Sequence, residues 1–110
     1  MYSKDIYSFV GLMARARQLS SGSQLIEHIR KRLVYFVIIC EDASDNTKKK
    51  IIDKCNYYHI DYCIALYSDD LSLAIGKDNR VAIGIMDKGF ADKIKSKLGG
   101  WYYGKKEYRK

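Results

Sequence analysis

Leu33-Val34-Tyr35-Phe36-Val37-Ile38-Ile39-Cys40 is the longest unbroken apolar run in this 110-residue chain. The run is rich in β-branched and aromatic residues and shows no polar alternation, the mark of a strand buried on both faces. Eight residues fall far short of the ~20 that a membrane-spanning helix needs. A strand covered on both faces calls for helices on each side, and the flanking sequence supplies them. Upstream, Ser21-Gly22 opens a helical stretch with Leu25, Ile26 and Ile29 as its apolar stripe. Arg30, Lys31 and Arg32 occupy its last turn, where cations complement the helix dipole. Downstream, Glu41 to Asn46 is polar turn material, and Ile51, Cys55 and Tyr58 mark one face of the next helix.

Farther out the alternation continues. Ile6, Phe9, Val10 and Met13 recur at helical spacing after Ser3, predicting a first helix to about Arg15 and then a brief strand between Gln18 and Ser20. Ile60 to Leu66 and Val81 to Met86 read as strands. Ser68 is placed to cap a short helix holding Leu71 and Ile75, with Gly76 at its end. Lys77 to Arg80 is a charged turn. Asp87 caps a last helix whose Phe90, Ile94 and Leu98 fall on one face, and Gly99 stops it. Helix–strand alternation with short connections implies an α/β layer structure with helices on both faces of a small mixed sheet.

One domain of this size, about 6,200 Å² of surface folded against about 18,400 Å² unfolded, buries roughly two-thirds of its surface without staples. The 47% apolar fraction excludes a disordered chain. Cys40, Cys55 and Cys63 make an odd count with no zinc spacing, so they read as reduced thiols of the cytoplasm. No export signal is read at the start of the chain. The net charge of +7 is unevenly spread: residues 1–40 hold six Lys and Arg against two acids, 41–87 six against nine, and 88–110 eight against two. Basic ends around a mildly acidic middle point to a polyanion, nucleic acid first, or to a plain lysine-rich surface.

Little in the sequence suggests catalysis. Both glycine-rich phosphate-loop patterns are missing, and His28 and His59 lie in unrelated segments, each read as a surface residue. Cys40 and Cys55 fall on buried patterns. Glu41, Asp42 and Asp45 fit a calcium loop poorly. What remains is Ser21-Gly22-Ser23-Gln24, a helix start with small residues and open backbone N–H groups, suited to a phosphate or simply to an ordinary N-cap.

Longer stretches carry a resemblance. Leu12 to Ile29, LMARARQLSSGSQLIEHI, Val37 to Cys55, VIICEDASDNTKKKIIDKC, Leu71 to Lys77, LSLAIGK, and Ile83 to Ala91, IGIMDKGFA, resemble the bacterial YlxQ-type branch of the L-seven-Ae ribosomal-protein superfamily of kink-turn RNA binders. The resemblance runs over about residues 6–97. It implies a three-layer α/β/α sandwich with a four-stranded mixed sheet and a non-enzymatic, cofactor-free, monomeric protein. Its implied partner is a structured, ribosomal RNA bent at tandem G·A pairs, in a cytoplasmic setting with ribosome or translation factors at hand. The same sandwich could instead dock a translation or ribosome-assembly factor.

Residue by residue, Gly22 matches the glycine that opens the family's recognition helix, between Ser21 and Ser23. Gln24 stands where Asn is usual, Leu25 where Glu is usual and His28 where Lys is usual. The turn holding Glu41, Ser44 and Lys48 resembles the element that meets the looped-out nucleotide, and the loop with Lys77, Asn79 and Arg80 the one that closes over it. The RNA-binding domain is thereby expected to span residues 1–98. Residues 99–110, where Trp101, Tyr102, Tyr103 and Tyr108 mix with basic side chains, read as a tail expected to be wholly or partly disordered.

Overall fold

The computed structural model describes residues 2–99, so most of the segment read as a tail lies outside the described residues. Ser3 accepts a hydrogen bond from the Ile6 N–H and starts helix α1 (Lys4–Arg15). Strand β1 (Leu19–Ser21) follows, then a 3-10 turn (Gly22–Gln24) and helix α2 (Leu25–Arg30). The apolar run forms β2 (Phe36–Ile39), followed by α3 (Asp45–Tyr58), β3 (Asp61–Ile64), α4 (Ser68–Ile75), β4 (Ala82–Ile85) and α5 (Lys88–Leu98).

The sheet order is β1-β4-β2-β3. β4 runs antiparallel to both β1 and β2, and β2 and β3 are parallel, so the sheet is mixed. Phe36 to Cys40 have no exposure at all, as expected of a central strand flanked by helices. On one face Phe36, Ile38, Ile83 and Ile85 pack against Val10 and Met13 of α1, Leu71 of α4 and Ile94 and Leu98 of α5. On the other, Val37, Ile39 and Ala82 pack against Leu25 and Ile29 of α2 and Ile51 and Cys55 of α3. This is the α/β/α sandwich. Gly84 lets α2 come close, because a Cβ there would stand 2.8 Å from Leu25 Cδ1 and from Val34 Cγ1.

Several boundaries differ from the sequence reading, each for a local reason. The strand expected from Leu33 begins at Phe36, because Arg32 leaves α2 with φ +58° and Leu33 and Tyr35 turn to solvent. The strands read at 60–66 and 81–86 are each trimmed to four paired residues. Ser68 does not cap α4. Instead it is the first helical residue, and its N–H and hydroxyl donate to the two carboxylate oxygens of Asp42 at 2.9 and 2.5 Å. The cap therefore comes from the β2–α3 turn.

Candidate nucleic-acid interface

Strand register decides which loops meet. Ser21 lies opposite Ile83, Ile39 opposite both Ala82 and Ile64, and the Cys40 N–H donates to the Val81 carbonyl. The segments that leave β1, enter β4, leave β2 and leave β3 thus share one end of the sheet. The turn 22–24, the loop 76–81 and the turn 41–44 are neighbours there.

Gly22 does not begin an α-helix, contrary to the sequence expectation. It has φ +63°, and the next residues form the 3-10 turn before the six-residue α2. Ser21 caps nothing with its side chain; its hydroxyl accepts from Arg80 Nε at 3.1 Å. Arg80 also donates from Nη1 to the Asp78 carbonyl at 2.8 Å. Its backbone is pinned as well: the buried Ser72 hydroxyl accepts from the Arg80 N–H at 2.9 Å and donates to the Arg80 carbonyl at 3.2 Å. Asn79, at φ +50°, makes the tight turn that delivers Arg80. Ser23 and Gln24 are exposed beside this guanidinium. Lys77 lines a groove of about 560 Å³ along β1, together with Arg15, Arg17, Leu19 and Ser21. Arg15, Arg17 and Lys77 thus line one basic groove along β1.

The other expected residues are engaged within the protein. His28 is half-buried rather than on an exposed side, and its Nδ1 lies 2.6 Å from the hydroxyl of buried Ser20. Ser44 caps α3, accepting from the Thr47 N–H at 3.1 Å. Lys48 Nζ donates to the Glu41 carbonyl at 2.8 Å. The Glu41 carboxylate takes the Tyr2 hydroxyl. Burial first, then Glu41, pushes the Tyr2 hydroxyl pKa up. The Ser68 donors hold the Asp42 carboxyl below its usual value. Burial, then the charges of Asp42 and Glu41, pushes the Cys40 thiol up to about 12.

The structure thus unites Ser21, Gly22 and Arg80 directly, with Ser23, Gln24, Lys77 and Asn79 around them. It uses Glu41, Ser44 and Lys48 to shape the adjoining turn. Sequence reasoning missed Ser72 and Asp42, which clamp that end, and the placing of Arg15 and Arg17 beside Lys77. A serine within a short helix gives no signal of its own, because its partner lies eight residues on in a loop. Among the described residues no group of three His, Cys, Asp or Glu is arranged to hold a metal, and no helix is long and apolar enough to cross a membrane.

The α/β/α sandwich on a four-stranded mixed sheet places the chain among known proteins of this architecture. Residues 4–95 match the ribosomal protein L7Ae/L30e/S12e/Gadd45 family, and the chain belongs to it. Within the family it is 41% identical over 99 residues to the RNA-binding protein YlxQ of Bacillus subtilis (strain 168), covering 89% of this chain and 99% of that one. It is 41% identical over 95 residues to the RNA-binding protein YlxQ of Enterococcus faecium, covering 84% and 90%. A solved Bacillus halodurans protein of unknown function superposes with TM-score 0.81 at 39% identity, over 87% of this chain and 98% of that one. The Giardia lamblia 15.5kD RNA binding protein shares the fold, with TM-score 0.70 at 14% identity over 92% and 91%.

Proposed function

We propose that this protein is a non-enzymatic cytoplasmic RNA-binding protein that grips a bent, kink-turn-like RNA, in association with the ribosome, where Gly22 and Arg80 meet. The observation that carries the reading is that contact: an exposed backbone turn meets a guanidinium held by Ser21 and Asp78, on a residue whose backbone is pinned by Ser72. Its family membership and the names of its two relatives support RNA as the polyanion. Arg80 and Lys77 meet phosphates, the exposed 22–24 turn meets base edges or backbone, and Arg15 and Arg17 continue the basic track along β1. Residues 1–98 are the RNA-binding domain, and 99–110 add aromatic and basic groups to it.

The test is binding to an RNA duplex bent by tandem G·A pairs against an unbent duplex of equal length. Tighter binding to the bent RNA is expected, with each phosphate contact adding roughly 0.7 to 0.9 to the slope of log K on log salt. Equal affinity for both rejects the kink-turn reading. A second reading, a protein-docking module, is favoured by one feature: Leu73 is 82% exposed beside a groove between α1 and α4. Docking there would depend weakly on salt and be lost on Leu73→Glu.

A further inference from the structure

Five helices end among the described residues, and each is followed by, or capped with, a residue at positive φ. After α4 and α5 that residue is glycine, Gly76 and Gly99. After α1, α2 and α3 it is Arg17, Arg32 and His59, at φ +59°, +58° and +59°. Their backbone N–H groups close the helices in the same way, onto the carbonyls of Ala14, Ile29 and Asn56. A side chain makes this conformation costly, and glycine or asparagine is the usual choice. A cation at a helix C-terminus offsets part of the cost, but α2 already has Arg30 and Lys31 for that purpose. Strain kept at exposed positions points to use of the side chains.

Arg17 lines the groove with Lys77 and belongs to the site already described. Arg32 and His59 do not. Phe36 pairs with Asp61, so residues 32–35 and 59–60 lie at the opposite end of the sheet from Gly22. Tyr57 is 74% exposed there, and its ring stands edge-on to Tyr58 at 4.7 Å and 80°. Tyr58 in turn lies within electrostatic reach of Arg30. The nearby carboxylates are engaged: Glu27 holds Arg30 at 2.7 Å and Lys31 at 3.5 Å, and Asp61 holds Lys95 at 3.1 Å. Arg32 forms no ion pair among the described residues.

We infer that the end of the molecule where α2 and α3 stop is a second RNA-binding surface, on which Arg32, with Arg30 and Lys31, meets backbone phosphates and Tyr57 stacks on an unpaired base. Single-stranded RNA fits better than duplex, because an open aromatic ring can stack only on a base freed from its neighbours. The inference rests on the partner being RNA. It does not depend on Gly22 marking the bend.

The probe is a bent duplex with tandem G·A pairs, with and without a single-stranded oligouridine extension of about ten nucleotides, within the usual range of single-strand site sizes. The extension tightens binding to the full chain. Arg32→Gly removes a charge together with the backbone strain. It therefore keeps or raises the thermal midpoint, while affinity for the extended RNA falls by about 3- to 10-fold and the salt slope by about 0.7. Tyr57→Ala costs at least about fivefold at an unchanged salt slope. Should both variants bind the extended RNA like the parent while Gly22→Val weakens the plain bent duplex, the second surface is rejected and the Gly22 site stands. Should they weaken binding while Gly22→Val does not, the second surface stands alone. A protein occupying this end instead would leave RNA affinity untouched in both variants, which also overturns the inference.

Discussion

The guanidinium of Arg80 lies across the backbone of Gly22, so closely that a Cβ at residue 22 would stand 3.2 Å from both Arg80 Cζ and Nε. Two features therefore favour glycine there: the contact, which a Cβ would relieve only by shifting the guanidinium, and the φ of +63°. Gly22→Val meets both. It is expected to lose about 1–2 kcal/mol of stability through the left-handed backbone. It is also expected to lose about 1–3 kcal/mol of affinity for bent RNA, the scale of one good recognition contact. Arg80→Ala separates the two effects, since it removes the cation and its bonds to Ser21 and Asp78 but keeps glycine at the left-handed position. Thermal unfolding and RNA titration of both variants check this; a Gly22→Val protein that folds and binds like the parent places the RNA elsewhere.

The fold was legible where one face of an element repeats. Leu25 and Ile29, Ile51 and Cys55, and Phe90, Ile94 and Leu98 announced their helices, and the uninterrupted 33–40 run announced the central strand, though not where it begins. What the sequence hid were contacts between segments far apart in the chain. Ser68 looked like a cap because serine usually is one, yet Asp42, 26 residues earlier, supplies the acceptor. His28 looked exposed because its neighbours Glu27 and Arg30 are polar, while its pairing with Ser20 depends on how β1 lies against α2. Gly22 and Arg80 could each be picked out from the resemblance, but their contact spans 58 positions and appears only when β1 pairs with β4.

The Asp42–Ser68 tie makes stability depend on acid pH. Asp42 accepts from both the N–H and the hydroxyl of Ser68, which lowers its carboxyl below its ordinary value of 3.8. A carboxyl lowered in the folded state contributes stability that is fully present above its unfolded value and is lost as pH falls through its folded value. The loss therefore falls below about pH 4. Asp42 is exposed, so the charge effect is small; removing the helix cap with Asp42→Ala is expected to cost about 0.5–1 kcal/mol at neutral pH. Thermal midpoints between pH 7 and pH 2.5 should converge for parent and variant at the acid end. A gap that persists unchanged at low pH would mean the carboxylate's charge contributes nothing.

His28→Lys sets recognition against packing. His28 stands where the family usually has lysine, and a lysine there would face the RNA with a full charge. The imidazole, however, bonds through Nδ1 to Ser20 Oγ at 2.6 Å, and Ser20 is only 2% exposed. Lysine places no polar atom where Nδ1 stands, so the buried Ser20 hydroxyl loses that partner at a cost of about 1–3 kcal/mol. The expected outcome is a lower thermal midpoint together with tighter binding of bent RNA at pH 7 and a salt slope larger by about 0.7 to 0.9. Ser20→Ala in the same background removes the stranded hydroxyl and should return part of the lost stability without changing the affinity. A His28→Lys protein that loses stability and gains no affinity for RNA would show that residue 28 serves the fold through Ser20 alone, and that this end of α2 does not reach the RNA.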